Sequence, residues 1–125
     1  MRKTCVLIVD DHQGVLQQIE NLLVQETDFE LCKAVTLDKA KSHVLLCKPE
    51  ILLIDPYVNG NLCIDSLAAL QELLPSMIII VLAAVVDAAT ELALSRIGIK
   101  FILEKKIAPE QLLDTLRLVE KIHAE

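Results

Sequence analysis

Polar and apolar positions along the chain switch repeatedly between two patterns: short runs of consecutive apolar residues, and longer stretches with the 3.6-residue spacing of a helix. Thr4–Val9 is a compact apolar run that ends at two aspartates. Behind it, Val15, Leu16, Ile19, Leu22 and Leu23 fall on one helical face. Residues 29–35 predict a second strand, and residues 37–47 a helix with Thr36 as its cap and Pro49 closing the unit. Residues 51–54 predict a third strand running into Asp55, and residues 56–61 read as a loop with turn chemistry in Asn59, Gly60 and Asn61. Leu67, Leu70, Leu73 and Leu74 make the next helical face, which Pro75 stops. Residues 77–82 form the most hydrophobic run, suited to the centre of a sheet covered on both faces. Asp87 offers a cap for a helix reaching Ile97, with Gly98 as its terminator. Residues 100–103 predict a short fifth strand, and Pro109 opens a last helix with Leu112, Leu113, Leu116 and Val119 on one face.

Strands that alternate with helices specify an α/β fold, a parallel sheet with helices on both faces. Right-handed crossovers leave few topologies for such a chain. The common one is the flavodoxin-like (βα)5 three-layer sandwich with strand order 2-1-3-4-5. The 125 residues fit a single domain spanning 1–125, with no repeat or linker. The longest uncharged apolar run, residues 77–86, is about half the roughly 20 residues of a membrane helix. The apolar run after Arg2 and Lys3 is cut short by Asp10 and Asp11, so no secretory signal is expected, and the chain is expected in the cytoplasm without membrane contact. Cys5, Cys32, Cys47 and Cys63 are scattered and form no C-x-x-C pair, which points to free thiols rather than a zinc site or a disulfide framework. The net charge of −6 argues against direct nucleic-acid binding by this segment.

In open α/β sheets chemistry collects at the carboxyl ends of the strands. There the first strand delivers Asp10 and Asp11, the third Asp55, and the fifth Glu104 and Lys105. Carboxylates from neighbouring strands repel one another in a small cleft, and a hard divalent cation removes that repulsion. With Lys105 on the far side, the set suits a phosphoryl group: a carboxylate nucleophile, a metal, and an ammonium to absorb spreading negative charge. His12 follows the acid pair and either approaches the site or, as is more common, is a solvated loop residue. Tyr57, the only tyrosine, either lines the site or packs its loop.

Over essentially its whole length the chain resembles the receiver domain family of bacterial response regulators. The resemblance is carried by Asp10 and Asp11, Asp55, Lys105 and the segment GIKFILEK from Gly98. It implies that Asp11, helped by Asp10, holds Mg²⁺, with Asp55 and the backbone carbonyl of Tyr57 completing the metal shell. Asp55 would be the phosphoacceptor, taking its phosphoryl group from a sensor histidine kinase or a phosphotransfer protein, and Lys105 would bind a phosphate oxygen. The activity implied is signal transduction, not enzymatic turnover beyond phosphoryl transfer to itself and autodephosphorylation. The face of the fourth helix, fifth strand and fifth helix is the family's contact surface, where a homodimer would form. The run VDDH is similar to receivers attached to helix-turn-helix DNA-binding domains.

The switch positions depart from the family. Ala83 stands where Thr or Ser is usual, Ile102 where an aromatic is usual, and Lys106 where Pro follows the lysine. The loop after Asp55 reads Pro-Tyr-Val-Asn-Gly, where a Met-Pro pair would be usual at Val58-Asn59. These departures keep an alternative open: a pseudo-receiver that serves as a protein-interaction module without phosphorylation. A metal-dependent phosphatase on the same fold would want a substrate-covering cap. A flavodoxin-type FMN protein would want a Gly- or Ser/Thr-rich phosphate loop after the first strand.

Overall fold

Each long apolar run becomes a strand of one parallel sheet. The computed structural model describes residues 3–34 and 36–124. In chain order the elements are β1 (Thr4–Val9), α1 (Gln13–Val24), β2 (Phe29–Ala34), α2 (Leu37–Cys47), β3 (Ile51–Ile54), β4 (Tyr57–Val58), β5 (Asn61–Leu62), α3 (Ile64–Leu73), β6 (Ile78–Ala83), α4 (Ala88–Arg96), β7 (Phe101–Glu104) and α5 (Pro109–Ala124). The five-stranded sheet has the order β2-β1-β3-β6-β7, which is the expected 2-1-3-4-5 once the small β4-β5 ribbon is set aside. Val35, assigned to the second strand from sequence, lies outside the described residues, as does Arg2.

Burial on both faces explains why the central strands carry no alternation. Ile51, Leu52, Leu53 and Ile54 are each at most 1% exposed, and each contributes roughly 1.5–3 kcal/mol of hydrophobic stabilisation. Leu7, Val9, Leu52, Ile54, Val81 and Ala83 pack against Ala40 and Val44 of α2, Leu67 and Leu70 of α3 and Leu94 of α4. Val6, Ile8, Ile51, Leu53, Ile80 and Leu82 pack against Leu16, Ile19 and Leu23 of α1 and Leu112, Leu116 and Val119 of α5. Ile102 joins the first core and Phe101 the second, as their adjacent positions in β7 require.

Four local features differ from the sequence reading. The segment after Asp55 is a hairpin rather than an open loop: Tyr57 pairs with Leu62 and Val58 with Asn61. Its turn residues Asn59 and Gly60 have φ of +52° and +79°, the double left-handed turn that matches strand twist. β6 starts one residue later than expected, because the Met77 amide is held in a turn by the Leu74 carbonyl and the ladder begins with Ile78. β7 is likewise shifted by one residue, to Phe101–Glu104. Thr36 occupies the N-cap of α2, but its side chain accepts nothing from that helix. Asp87, by contrast, caps α4 by accepting from the Thr90 amide at 2.8 Å.

One polar clamp ties α5 to the start of β2. Arg117 donates to Asp28 at 2.6 Å and to Glu26, and its guanidinium lies 5.4 Å from the Phe29 ring centroid. The hydrogen bond from Arg117 holds the Asp28 carboxyl below the usual range, so the clamp is at full strength above the unfolded carboxyl value and weakens as pH falls through the folded one. Arg117→Ala is expected to lower the stability measured by urea unfolding at pH 7 by about 1 kcal/mol, a figure already discounted for solvent screening. The deficit should shrink between pH 4 and pH 3; a deficit undiminished at pH 3 would contradict this assignment.

Candidate functional site

The sheet order places the carboxyl ends of β1 and β3 side by side. Val9 is in register with Ile54, and the Asp55 amide donates to the Val9 carbonyl at 3.1 Å. The next residue of each strand end is an aspartate, so the ladder itself brings Asp10 and Asp55 together. Asp10 is only 4% exposed. From the other side, β7 pairs with β6, and the Lys105 amide donates to the Ala83 carbonyl at 2.8 Å. That bond aims the lysine across the strand ends.

The Lys105 ammonium closes the site. Its Nζ lies 2.6 Å from Asp55 Oδ2 and 2.9 Å from Asp10 Oδ2. Burial, the largest single influence, pulls the ammonium pKa down; the hydrogen bonds and charges of Asp55 and Asp10 outweigh it, and the net shift is upward. Lys105 therefore stays charged and serves as the counter-ion for two carboxylates at once.

His12 belongs to the same cluster, the less common of the two places its sequence position allows. Its Nδ1 is 2.9 Å from Lys105 Nζ, 2.9 Å from Asp10 Oδ1 and 3.2 Å from Asp11 Oδ1, although the ring remains 62% exposed. With Nδ1 as acceptor the ring takes a hydrogen bond from Lys105; with Nδ1 protonated it donates to Asp10. A donor atom from each of Asp10, His12 and Asp55 lies within 4.8 Å of the others. Asp11 is more peripheral, with a 72% exposed side chain, but it lines both clefts that open onto Asp55. One cleft, of about 450 Å³, also takes in Asp10, Tyr57 and Thr36; the other, of about 500 Å³, takes in His12, Tyr57, Ala84 and Asp87.

Tyr57 does both things the sequence left open. Its amide donates to Asp55 Oδ1 at 3.0 Å, while its phenol meets Thr90 Oγ1 of α4 at 2.6 Å. In the hairpin the Cys63 amide donates to the Pro56 carbonyl, so the alternation of an antiparallel ladder leaves Tyr57 at a position with no ladder bonds. Its amide is therefore available to Asp55. Glu104 does not join the acid cluster: it accepts from the Val86 amide at 3.2 Å and lies 3.7 Å from Lys106. Ala83 is fully buried and has no hydroxyl to offer the cleft.

Comparison with known proteins agrees with this geometry. The family model of the response regulator receiver domain matches residues 6–117, and the chain belongs to that family. A CheY-like receiver domain protein from Methanospirillum hungatei JF-1 superposes with a TM-score of 0.89 at 19% identity, covering 98% of this chain and 97% of its own. Chemotaxis protein CheY4 of Vibrio cholerae gives 0.82 at 20% identity, with 94% and 98% covered. The RcsB response regulator of Salmonella typhimurium gives 0.86 at 24% identity, over 97% of this chain and 60% of that one. Comparison with curated protein sequences gives no match.

Replacing Lys105 by Met leaves Asp10 and Asp55 facing each other without their shared cation. In metal-free buffer this is expected to destabilise the fold by about 1–3 kcal/mol in urea unfolding. Millimolar Mg²⁺ should recover part of the loss, because a divalent ion can replace the missing charge. Unchanged stability, or a loss that Mg²⁺ leaves untouched, would show that Lys105 is not the counter-ion of the pair.

Proposed function

We propose that this receiver domain accepts a phosphoryl group on Asp55 from a phosphohistidine of a sensor kinase or phosphotransfer protein. The observation that carries the reading is the pair of carboxylates on adjacent strand ends bridged by one partly buried ammonium. In the transfer, a carboxylate oxygen of Asp55 attacks phosphorus and the phosphorus–nitrogen bond of the donor breaks. Forming the acyl phosphate removes the charge of the Asp55 carboxylate, so Lys105 loses its 2.6 Å partner and turns to a phosphoryl oxygen. Asp10, with Asp11, Asp55 and the Tyr57 carbonyl, would hold Mg²⁺, a fit supported by the convergence of oxygen donors around the Asp10 and Asp55 carboxylates. When bound, the ion supplies positive charge for the phosphoryl oxygens.

The readout proposed here runs through Tyr57, because Ala83 and Ile102 lack the hydroxyl and the aromatic ring usual at those positions. A hydrogen bond to a charged acceptor contributes about 1.5–3 kcal/mol and one to a neutral acceptor about 0.5–1.5. The Tyr57 amide bond to Asp55 therefore weakens when the carboxylate becomes an acyl phosphate. The same residue holds Thr90 of α4, so the change reaches the α4-β7-α5 face. Leu92, Leu118 and Ile122 are exposed on α4 and α5, and this is the surface proposed for a homodimer or a partner. The absent hydroxyl at Ala83 also favours a second reading, a pseudo-receiver that binds its partner without phosphorylation.

Intact-protein mass after incubation with acetyl phosphate and Mg²⁺ separates the two. The expected result is a gain of one phosphoryl group that needs Mg²⁺ and is lost in Asp55→Asn; no gain in the folded protein would favour the pseudo-receiver. Tyr57→Phe keeps the amide bond to Asp55 but strands the buried Thr90 hydroxyl, at a cost of about 1–3 kcal/mol. Phosphoryl incorporation in this variant should stay close to wild type, while the phosphorylation-dependent change in hydrogen exchange of α4 is lost. Wild-type exchange behaviour in Tyr57→Phe would refute the Tyr57 route.

A further inference from the structure

His12 turns a ring nitrogen toward the aspartates although most of its ring lies in solvent. The residue stands at the N-cap of α1 with an extended backbone, and its side chain caps nothing there. Its amide donates to Asp10 Oδ1 at 2.8 Å, a tight turn that folds residue 12 back over the end of β1. The same Asp10 oxygen lies 2.9 Å from His12 Nδ1. A side chain 62% exposed gains little packing from this orientation, so polar contacts hold it. Lys105 marks what those atoms can hold. Around its ammonium, Asp55 Oδ2 stands at 2.6 Å, Asp10 Oδ2 at 2.9 Å and His12 Nδ1 at 2.9 Å. These are three acceptors for the three N–H bonds of one ammonium. The strand ends and the start of α1 thus present a cation with two carboxylate oxygens and one imidazole nitrogen.

We propose that His12 supplies Nδ1 as a nitrogen ligand to the divalent ion of this cleft, moving the preference of the site from Mg²⁺ toward the later first-row ions, the Co²⁺, Ni²⁺ and Zn²⁺ class. The inference rests on the metal-binding reading of the cleft given above and adds a residue to it. One donor atom from each of Asp10, His12 and Asp55 lies within 4.8 Å of the other two. Ligands at about 2.1 Å from an ion stand about 3.0 Å apart at right angles and about 4.2 Å apart across it. The 2.9 Å between His12 Nδ1 and Asp10 Oδ1 already matches a right-angle pair. Asp11 Oδ1, 3.2 Å from the same nitrogen, is a further oxygen within reach. The lone pair that would bind is the one that accepts from Lys105, so an arriving ion and the ammonium compete for it. Mg²⁺ takes oxygen ligands and gives up its waters reluctantly, so an imidazole adds little to its binding. For Co²⁺, Ni²⁺ and Zn²⁺ an imidazole is a favoured ligand.

The test is calorimetric titration of the full chain with Mg²⁺ and, separately, with Co²⁺, for wild type, His12→Ala, His43→Gln and Asp55→Asn. Oxygen ligands alone bind both ions, so the deciding quantity is the change in the Co²⁺-to-Mg²⁺ affinity ratio when the ring is removed. His12→Ala should weaken Co²⁺ binding by more than about tenfold, the lower end seen for loss of even an outer-shell partner, and leave Mg²⁺ affinity nearly unchanged. The exposed position of the ring keeps this variant folded, which circular dichroism checks. In proton NMR, Co²⁺ should carry the carbon-bound ring protons of one histidine far outside their usual range. That signal should vanish in His12→Ala and persist in His43→Gln, whose ring contacts the Lys39 carbonyl on α2. An unchanged ratio in His12→Ala, with both ions still bound more weakly by Asp55→Asn, would overturn the role of His12 and leave the metal site standing. Binding of neither ion by wild type, or binding indifferent to Asp55→Asn, would overturn the metal-binding reading and this inference with it.

Discussion

Two negative charges at the ends of adjacent parallel strands constrain everything around them. The β1-β3 ladder, ending at Val9 and Ile54, sets the backbones of Asp10 and Asp55 side by side. Their mutual repulsion has to be balanced by a cation. Within the chain that cation is Lys105, delivered by the β6-β7 pairing at 2.6 and 2.9 Å from the two carboxylates. The proposed phosphoryl transfer would enter this charge arrangement by exchange, with the Asp55 carboxylate becoming an acyl phosphate and its contact with Lys105 passing to a phosphoryl oxygen. No large conformational step is needed to assemble it, because the three side chains sit on rigid strand ends.

The same arrangement suggests how an event at the carboxylate reaches the surface. Tyr57 touches both sides: its amide bonds Asp55 and its phenol bonds Thr90 of α4, whose own amide is fixed by Asp87. A residue bonded to both Asp55 and α4 is what the proposed readout in place of a hydroxyl at position 83 requires. The β4-β5 hairpin gives this residue a defined backbone, which the proposed route through Tyr57 requires.

Much of this was legible in the sequence. The strands and helices, the strand order and the meeting of Asp10, Asp55 and Lys105 followed from hydrophobic period and from the rule that loops at strand ends face one cleft. What escaped was fine geometry. The Asn59-Gly60 pair between Tyr-Val and Asn-Leu is a hairpin signal, but flanking strands of two residues are too short to show an alternating pattern. His12 could not be assigned to the cluster, since a loop side chain is free to point anywhere until its partners are known. The Tyr57–Thr90 contact joins residues 33 apart, and the Cys5–Cys32 contact joins residues 27 apart. Such meetings depend on how helices settle on the sheet, which periodicity does not encode. The one-residue offsets of β6 and β7 arise because ladder registry, rather than local hydrophobicity, decides where a strand begins.

The proposed route runs from Asp55 through the Tyr57 amide bond to Thr90 of α4. It is tested most directly by amide NMR spectra of the protein with and without beryllofluoride and Mg²⁺, together with the Asp55→Asn variant. The account predicts Asp55-dependent shifts at Tyr57 and Thr90 that exceed those at Ala83 and Ala84. Shifts centred on Ala83 with Thr90 unmoved, or the same shifts in Asp55→Asn, would contradict it.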